Sequence, residues 1–382
     1  MIFEKEKIEY QMIKDTVRKF ASKIPVEKIN RFEETETYPY PFVARLGELG
    51  LMGILIPAEY GGAGMDNLAY AIAEEELSRV WAGLGLIMSA NNSLSGYPIL
   101  TYGNEEQKQK YLPALATGEK LGCYALTEPD AGSDPASLKT KAEKQRDIYI
   151  INGVKRFITN ASKADICIII ARTGTEKHKG LSAFIVETNS PGFQIAKIEK
   201  KLGLLCSPTC EIVLENVEIP IENLLGKEGD GFKIVMDTLN CGRINIAAQA
   251  LGISQGAFEL TRDYAKERIQ FGQPIAQFQA IQFELAKMAI FIEASRLLTY
   301  HAAWLKDQGG PQKEIAKAAS TAKYFSTEYG VKIVKEALQI FGGVGYTKDY
   351  PIERFLRDII ATTIYEGTSN IQLKIIAKSI LE

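Results

Sequence analysis

Hydrophobic residues recur with a helical period up to about Gly122, with a strand period from there to about residue 230, and with a helical period again to the end. A pattern written for one period does not settle in the other, so the chain divides into helical, β and helical segments, with expected boundaries 1–120, 121–230 and 231–382. In the first segment, Lys5 to Ser22 is amphipathic. Pro39 or Pro41 opens a helix holding Phe42, Leu46 and Leu49, and Gly50 ends it. Pro57 to Gly64 is a loop, Asn67 caps the next helix through Leu77, and Glu105 to Leu112 forms another before Pro113.

In the middle segment, Ile148 to Ile151, Asn152-Gly153 and Val154 to Ile158 read as a hairpin, because Asn-Gly suits the tight turn that matches strand twist. Ile166–Ala171, Leu181–Val186, Phe193–Ile198 and Glu211–Val217 add strands, giving an antiparallel sheet or small barrel. Beyond Phe232 come helix-rich stretches over Ile244–Glu267, Ala276–Lys306 and Pro311–Phe341, with Gly309-Gly310-Pro311 as a junction. The fold class is α+β, mainly α.

Several function classes drop out. The 382 residues carry a formal net charge of −2, so no basic field invites nucleic acid or an anionic membrane. The longest apolar runs are too short to span a bilayer. Met1 to Lys7 mixes charges and lacks a secretory apolar segment, which points to the cytoplasm. The five cysteines are scattered and form no C-x-x-C pair, and there are only two histidines, His178 and His301. A zinc site, a disulfide framework or a Ser-His-Asp triad is therefore not expected, and no metal ligand set is assigned. Neither a G-x-G-x-x-G after a strand nor a P-loop is present: Gly229-Asp230-Gly231 has Ile234 where the third glycine belongs. A dinucleotide, if bound, is not held in a Rossmann crevice.

The closing run Tyr365-Glu366-Gly367-Thr368-Ser369-Asn370-Ile371-Gln372 carries the chemistry. Ser369 followed by Gln372 fits a capping box, so a last helix starts there. Glu366 then stands on a loop just outside it, where Gly367 allows close approach of a ligand. In apolar surroundings such a carboxylate becomes a general base.

Three motifs coincide with this one: Tyr124-Ala-Leu-Thr-Glu-Pro-Asp-Ala-Gly-Ser-Asp134, Gln339-Ile-Phe-Gly-Gly-Val-Gly-Tyr346 with Asp349, Arg354 and Asp358, and Arg268-Ile-Gln-Phe-Gly272. With Phe157-Ile-Thr-Asn160 and Asn223-Leu-Leu-Gly226, they make nearly the whole chain resemble the acyl-CoA dehydrogenase family, and within it the short-chain, butyryl-CoA-type members. The resemblance implies a helical domain, a central β-domain and a C-terminal four-helix domain, with FAD held non-covalently in a homotetramer. It further implies conversion of an acyl-CoA to the trans-2-enoyl-CoA, with an electron-transferring flavoprotein as acceptor. By resemblance, Glu366 is the base that removes the α-proton, and its backbone N–H helps stabilise the thioester oxygen. Some relatives carry the base on another helix, just before an arginine. The matching position here is Gly242, ahead of Arg243, which cannot serve.

The resemblance also implies binding roles. Tyr124, Leu126, Thr127, Gly132 and Ser133 run along the flavin, with Phe157, Ile158 and Thr159 on its other side. Arg268, Phe271 and Gln279 belong to a run that reaches a neighbouring subunit's FAD. Gln339, Ile340, Phe341, Gly342 and Gly343 line the adenosine end, and Thr368, Ser369 and Asn370 the pyrophosphate. Ser133, Asn240, Arg243 and Gly367 match positions that meet the CoA thioester, although relatives often have aspartate where this chain has Asn240. A second departure, Leu205-Cys206-Ser207-Pro208-Thr209-Cys210, has no functional account and reads as a repacked loop. No lysine or arginine occurs between Val80 and Tyr102, which disfavours a dicarboxylic acyl group. Branched or alicyclic acyl groups, an oxygen-using oxidase and a non-catalytic relative are the alternatives.

Overall fold

The computed structural model of the chain describes residues 8–382, so residues 5–7 of the expected first helix lie outside the described residues. Seven α-helices come first: α1 Ile8–Ala21, α2 Val26–Glu34, α3 Tyr40–Glu48, α4 Asn67–Ser78, α5 Ala82–Ser89, α6 Tyr97–Tyr102 and α7 Glu105–Thr117. Next are eight strands, β1 Gly122–Ala125, β2 Lys141–Gln145, β3 Ile148–Thr159, β4 Ile166–Arg172, β5 Leu181–Glu187, β6 Phe193–Ile198, β7 Thr209–Pro220 and β8 Leu224–Leu225. The chain closes with α8 Gly231–Glu267, a small ribbon of β9 Ile269–Gln270 and β10 Gln273–Pro274, then α9 Gln279–Asp307, α10 Gln312–Phe341, α11 Ile352–Thr362 and α12 Ser369–Leu381.

The strands form one sheet in the order β6-β7-β3-β2-β4-β5-β8, with β1 also paired to β4. Pairing is antiparallel except that β4 runs parallel to β1 and, over one residue pair, to β2. β4 is buried on both faces. Ile166, Ile168 and Ile170 join Tyr111, Leu112 and Ile234 from flanking helices, while Cys167, Ile169 and Ala171 face Tyr149, Ile212 and Val217. That double burial explains its unbroken apolar run.

Local signals and tertiary partners compete at several points. Asn152-Gly153 makes no hairpin: β3 passes straight through it, paired with β7, and a register shift between Ile151 and Gly153 absorbs the irregularity. The turn falls instead at Arg146-Asp147, between β2 and β3, with Arg146 at φ 54°. Gly153 fits because a Cβ there would lie 2.3 Å from Thr140 Oγ1. The cap of α4 is Asp66 and not Asn67: its carboxylate accepts the Ala69 N–H at 2.9 Å. Asn67 instead gives its N–H and amide to Asp307 at the end of α9, at 2.8 and 2.7 Å. Pro113 lies inside α7 rather than ending it, and α8 is already helical from Gly231. Between α5 and α6 a π-helical stretch, Ala90–Gly96, has no forerunner in the sequence reading.

Long α8, α9 and α10, with α12 against α10, form the C-terminal bundle, and α11 lies against α8 and α10. The Leu205–Cys210 departure, with Leu204 just before it, ties the three segments together. Leu204 N–H donates to Asp358 of α11 at 2.6 Å, and Leu205 N–H to Glu33 of α2 at 2.6 Å. The other Glu33 oxygen takes the Trp81 indole N–H at 2.6 Å. All five cysteines are buried and unpaired. Among the described residues no helix is long and apolar enough to cross a membrane.

Candidate active site

The turn between α11 and α12 delivers Glu366. Both Glu366 (φ 53°) and Gly367 (φ 98°) adopt left-handed backbone, which glycine accepts freely and glutamate does not. The turn aims the carboxylate at α8, into the space that Gly242 leaves open. A Cβ built on Gly242 would lie 1.8 Å from Glu366 Oε2. That oxygen is sealed from solvent and has no hydrogen-bond partner. Burial lifts the Glu366 carboxyl to about 7, with Arg243 and then Lys323 pulling it back. A buried carboxylate poised near neutral pH, with a free oxygen, is equipped to take a proton.

Its neighbours are polar and buried. The Tyr365 hydroxyl donates to Gln249 Oε1, and Gln249 Nε2 donates to Ala82 O at 2.9 Å. Glu74 on α4 is fully buried. Burial, offset in part by the Ser78 hydroxyl and reinforced by the Glu366 charge, raises its carboxyl to about 8. Arg243 Nη1 donates to Asn240 Oδ1 at 2.9 Å, and its Nε to Glu366 O at 3.4 Å. Asn240 and Arg243, both expected at the CoA arm, are therefore buried and turned to one another, with Arg243 touching the base loop. No capping box forms at α12: Thr368 is the N-cap and its side chain caps nothing. Ser369 Oγ donates to Glu328, and Gln372 Nε2 turns back to Gly367 O at 2.7 Å. The helix does start at Ser369, as expected from the sequence, but Gln372 serves the loop instead of the helix end.

The loop after β1 is fixed from below. Lys155 of β3, fully buried, donates to Leu126 O at 3.1 Å and to Glu128 Oε1 at 2.9 Å. The Glu128 oxygens also accept the N–H groups of Lys139 and Thr140 at 2.6 and 2.9 Å. Arg156 N–H closes onto Thr127 O at 2.8 Å. Along this surface Tyr124 and Ile158 are buried, and Leu126, Thr127 and Thr159 are half-buried. Gly132 and Ser133 are exposed. Phe157 stands 56% exposed at φ 59°, under the Arg156 guanidinium.

At the far end of α10, Phe341 turns inward and stacks on Tyr264 at 4.2 Å, with Ile340 half-buried beside it. Gln339, Gly342 and Gly343 are open, and nothing lies within 4 Å of a Cβ placed on either glycine. Asn370 is exposed. Arg268, Phe271 and Gln279 stand exposed at the α8–α9 junction, Phe271 by 93%. Among the described residues no hydrogen bond ties these three side chains to the Glu366 loop. An uncovered aromatic at Phe157, bare glycine backbone at 132, 342 and 343, and outward Arg268 and Phe271 fit a large planar, phosphate-bearing ligand.

The sequence reading missed Lys323, Glu74, Gln249 and Lys155. For Lys323 a signal existed: it follows Ala318-Ala319-Ser320-Thr321-Ala322, at a helical phase shared with buried Ala319 and Ser326. A lysine on a small-residue, buried face needs a partner.

A helical, β and helical fold that seals a glutamate carboxylate oxygen on its last interhelical turn defines the class of this chain, and sequence comparison gives it a family. The chain matches the N-terminal, middle and C-terminal domains of acyl-CoA dehydrogenase over residues 7–119, 123–217 and 229–381. It belongs to the acyl-CoA dehydrogenase family, an oxidoreductase family. It is 51% identical to an acyl-CoA dehydrogenase of Bacillus subtilis, covering 98% of each chain. It is 48% identical to a short-chain specific acyl-CoA dehydrogenase of Clostridium acetobutylicum, covering 97% of this chain and 98% of that one. Among solved structures, butyryl-CoA dehydrogenase from Megasphaera elsdenii superposes with a TM-score of 0.96 at 41% identity, covering 99% of each chain. A chain from a structure described as the electron transferring flavoprotein of Acidaminococcus fermentans gives 0.96 at 46% identity, again covering 99% of each. A glutaryl-CoA complex of glutaryl-coenzyme A dehydrogenase also gives 0.96, at 41% identity, covering 100% of this chain and 97% of that one.

Proposed function

We propose that this chain is a short-chain acyl-CoA dehydrogenase that forms the trans-2-enoyl-CoA, uses FAD, works as a homotetramer and passes electrons to an electron-transferring flavoprotein. The carrying observation is Glu366, whose buried, unpartnered Oε2 lies in the gap at Gly242. Glu366 takes the α-proton of the thioester, and its N–H assists the thioester oxygen as negative charge develops there. Bound FAD would supply the acceptor for the hydride of the β-carbon. Tyr124, Leu126, Thr127, Gly132, Ser133, Phe157, Ile158 and Thr159 would hold its ring system. Gln339 to Gly343 and Thr368 to Asn370 would hold its adenosine and phosphates, while Arg268, Phe271 and Gln279 would reach the FAD of a neighbour. Ser133, Asn240, Arg243 and Gly367 serve the CoA arm. The working segments are 1–120, 121–230 and 231–382, in the cytoplasm.

Assembly is supported by the outer face of α9, where Phe283, Ile290 and Leu297 recur every seventh residue and are exposed. Sedimentation at four times the 42.3 kDa chain mass is expected, and a monomer would refute this part. For a short acyl group the supports are the relatives' names and the lack of an unpaired cation in 80–102. Lys306, which reaches Tyr97 at 2.7 Å, is already paired with Asp237 at 3.1 Å.

The test is anaerobic titration with butyryl-CoA, following the visible flavin spectrum. Wild type should bleach, and Glu366→Gln should bleach about 10²–10⁴ times more slowly, the usual worth of a general base. A yellow protein indifferent to butyryl-CoA would move the substrate to branched or cyclic thioesters. Equal bleaching in both proteins would remove Glu366 from the role of base.

A further inference from the structure

Behind the base loop lies a cation that no role above uses. Lys323, midway along α10, is fully buried, and its Nζ donates to Gly367 O at 2.9 Å. The same carbonyl accepts from Gln372 Nε2 at 2.7 Å, and Gln372 also reaches Glu366 O at 3.3 Å. From α8, Arg243 Nε donates to that Glu366 carbonyl at 3.4 Å. Donors on three helices thus grip two consecutive carbonyls of the peptide that carries the base. The grip has a purpose, because a glutamate held in left-handed backbone is strained and stays there only if its surroundings enforce it. Burying an ammonium is itself costly, and an aliphatic side chain would fill the same space without that cost.

We propose that Lys323 is a positioning residue for the reaction: by holding the Gly367 carbonyl it fixes the turn that aims Glu366 at the substrate, and its charge supports the carboxylate form of Glu366. The inference rests on the reading of Glu366 as base. The ionisable groups around Glu366 are Arg243 and Cys241 of α8, Lys323 of α10, Glu74 of α4, Tyr124 of β1 and the adjoining Tyr365. Lys323 faces Glu366, Arg243 and, on its own helix, Glu328. Burial lowers Lys323 to about 7, opposed by Glu366, while burial raises Glu366 to about 7, opposed by Arg243 and then Lys323. Removing the lysine charge therefore makes Glu366 harder to ionise, and the acid limb of kcat/KM moves to higher pH.

Two variants separate position from charge. Lys323→Met keeps the length and loses donor and charge, whereas Lys323→Gln keeps a donor and loses the charge. In the flavoprotein, Met should lower kcat about 10²-fold, the usual result of misplacing a catalytic group by an ångström, with KM changed less. Its acid limb should shift upward, and amide exchange of residues 363–372 should quicken. Gln should recover most of kcat and the slow exchange while keeping the shifted limb. Wild-type kcat, limb and exchange in the Met variant would overturn the proposal. If Met does not fold, an unshifted limb in the Gln variant overturns it equally. A wild type inert to acyl thioesters would refute the base reading, but exchange over 363–372 needs no turnover and would still decide the grip.

Discussion

At Gly242 a missing side chain is what admits the Glu366 carboxylate, so the two positions cannot both be filled. Gly242→Ala puts a Cβ 1.8 Å from Oε2 and 2.6 Å from the carboxyl carbon, and the glutamate has to move. Two effects on stability oppose one another. Alanine inside a helix gains about 0.5–1 kcal/mol over glycine, and overpacking a filled interior costs about 1–3 kcal/mol. Activity has no such compensation, because a displacement of about an ångström at the reacting group is worth about 10²-fold in rate. The expected variant melts within a few degrees of wild type and reduces its flavin with substrate at least about 10² times more slowly. Wild-type reduction in stopped flow would show that the carboxylate does not work from this position. The place of Glu366 was legible in the sequence because its signals are contiguous: a carboxylate, a glycine and a helix start. The burial of Lys323 could be read from its small-residue face, but not what it holds, since its partner Gly367 lies 44 residues away.

Among the elements, legibility followed burial. The period of α10 and the apolar run of β4 could be read because each buries its own pattern. Turn chemistry failed where a second strand was available. Asn152-Gly153 has the local preference for a hairpin, yet β7 offers β3 a partner along nearly its whole length, and ladder bonds outweigh one turn. The π-helical stretch Ala90–Gly96 was illegible for a similar reason. Its asparagines are committed to distant backbone: Asn91 donates to Met52 O at 2.8 Å and accepts the Gly122 N–H at 2.9 Å, and Asn92 accepts the Ile54 N–H at 3.0 Å. Such bonds reward an irregular helix only once the other segments are in place. The Lys155–Glu128 pair is another case. It sets the loop after β1, but its members are 27 residues apart and neither sits in a recognisable spacing.

Across the whole molecule, the period changes gave the order of the segments, whereas the joints between them could not be read. Glu33 accepts from Leu205, Asp358 from Leu204, and Asp307 holds the start of α4, so both helical segments carry acceptors that another segment fills. Freeing the middle segment would strand the buried acceptors Glu33 and Asp358 in the other two, at about 1–3 kcal/mol each, which couples their opening. The five cysteines turn this into something that can be timed. Three, Cys123, Cys167 and Cys210, share the interior of the sheet, Cys206 lies in the docking loop, and Cys241 is on α8 beside Gly242. No thiol meets solvent in the native chain, so a small thiol reagent can act only when structure opens. Labelling should count five thiols in one slow phase that accelerates with denaturant. A fast phase consuming one or two would mean that the segments come apart singly. The buried cysteines thus make the chain its own stopwatch.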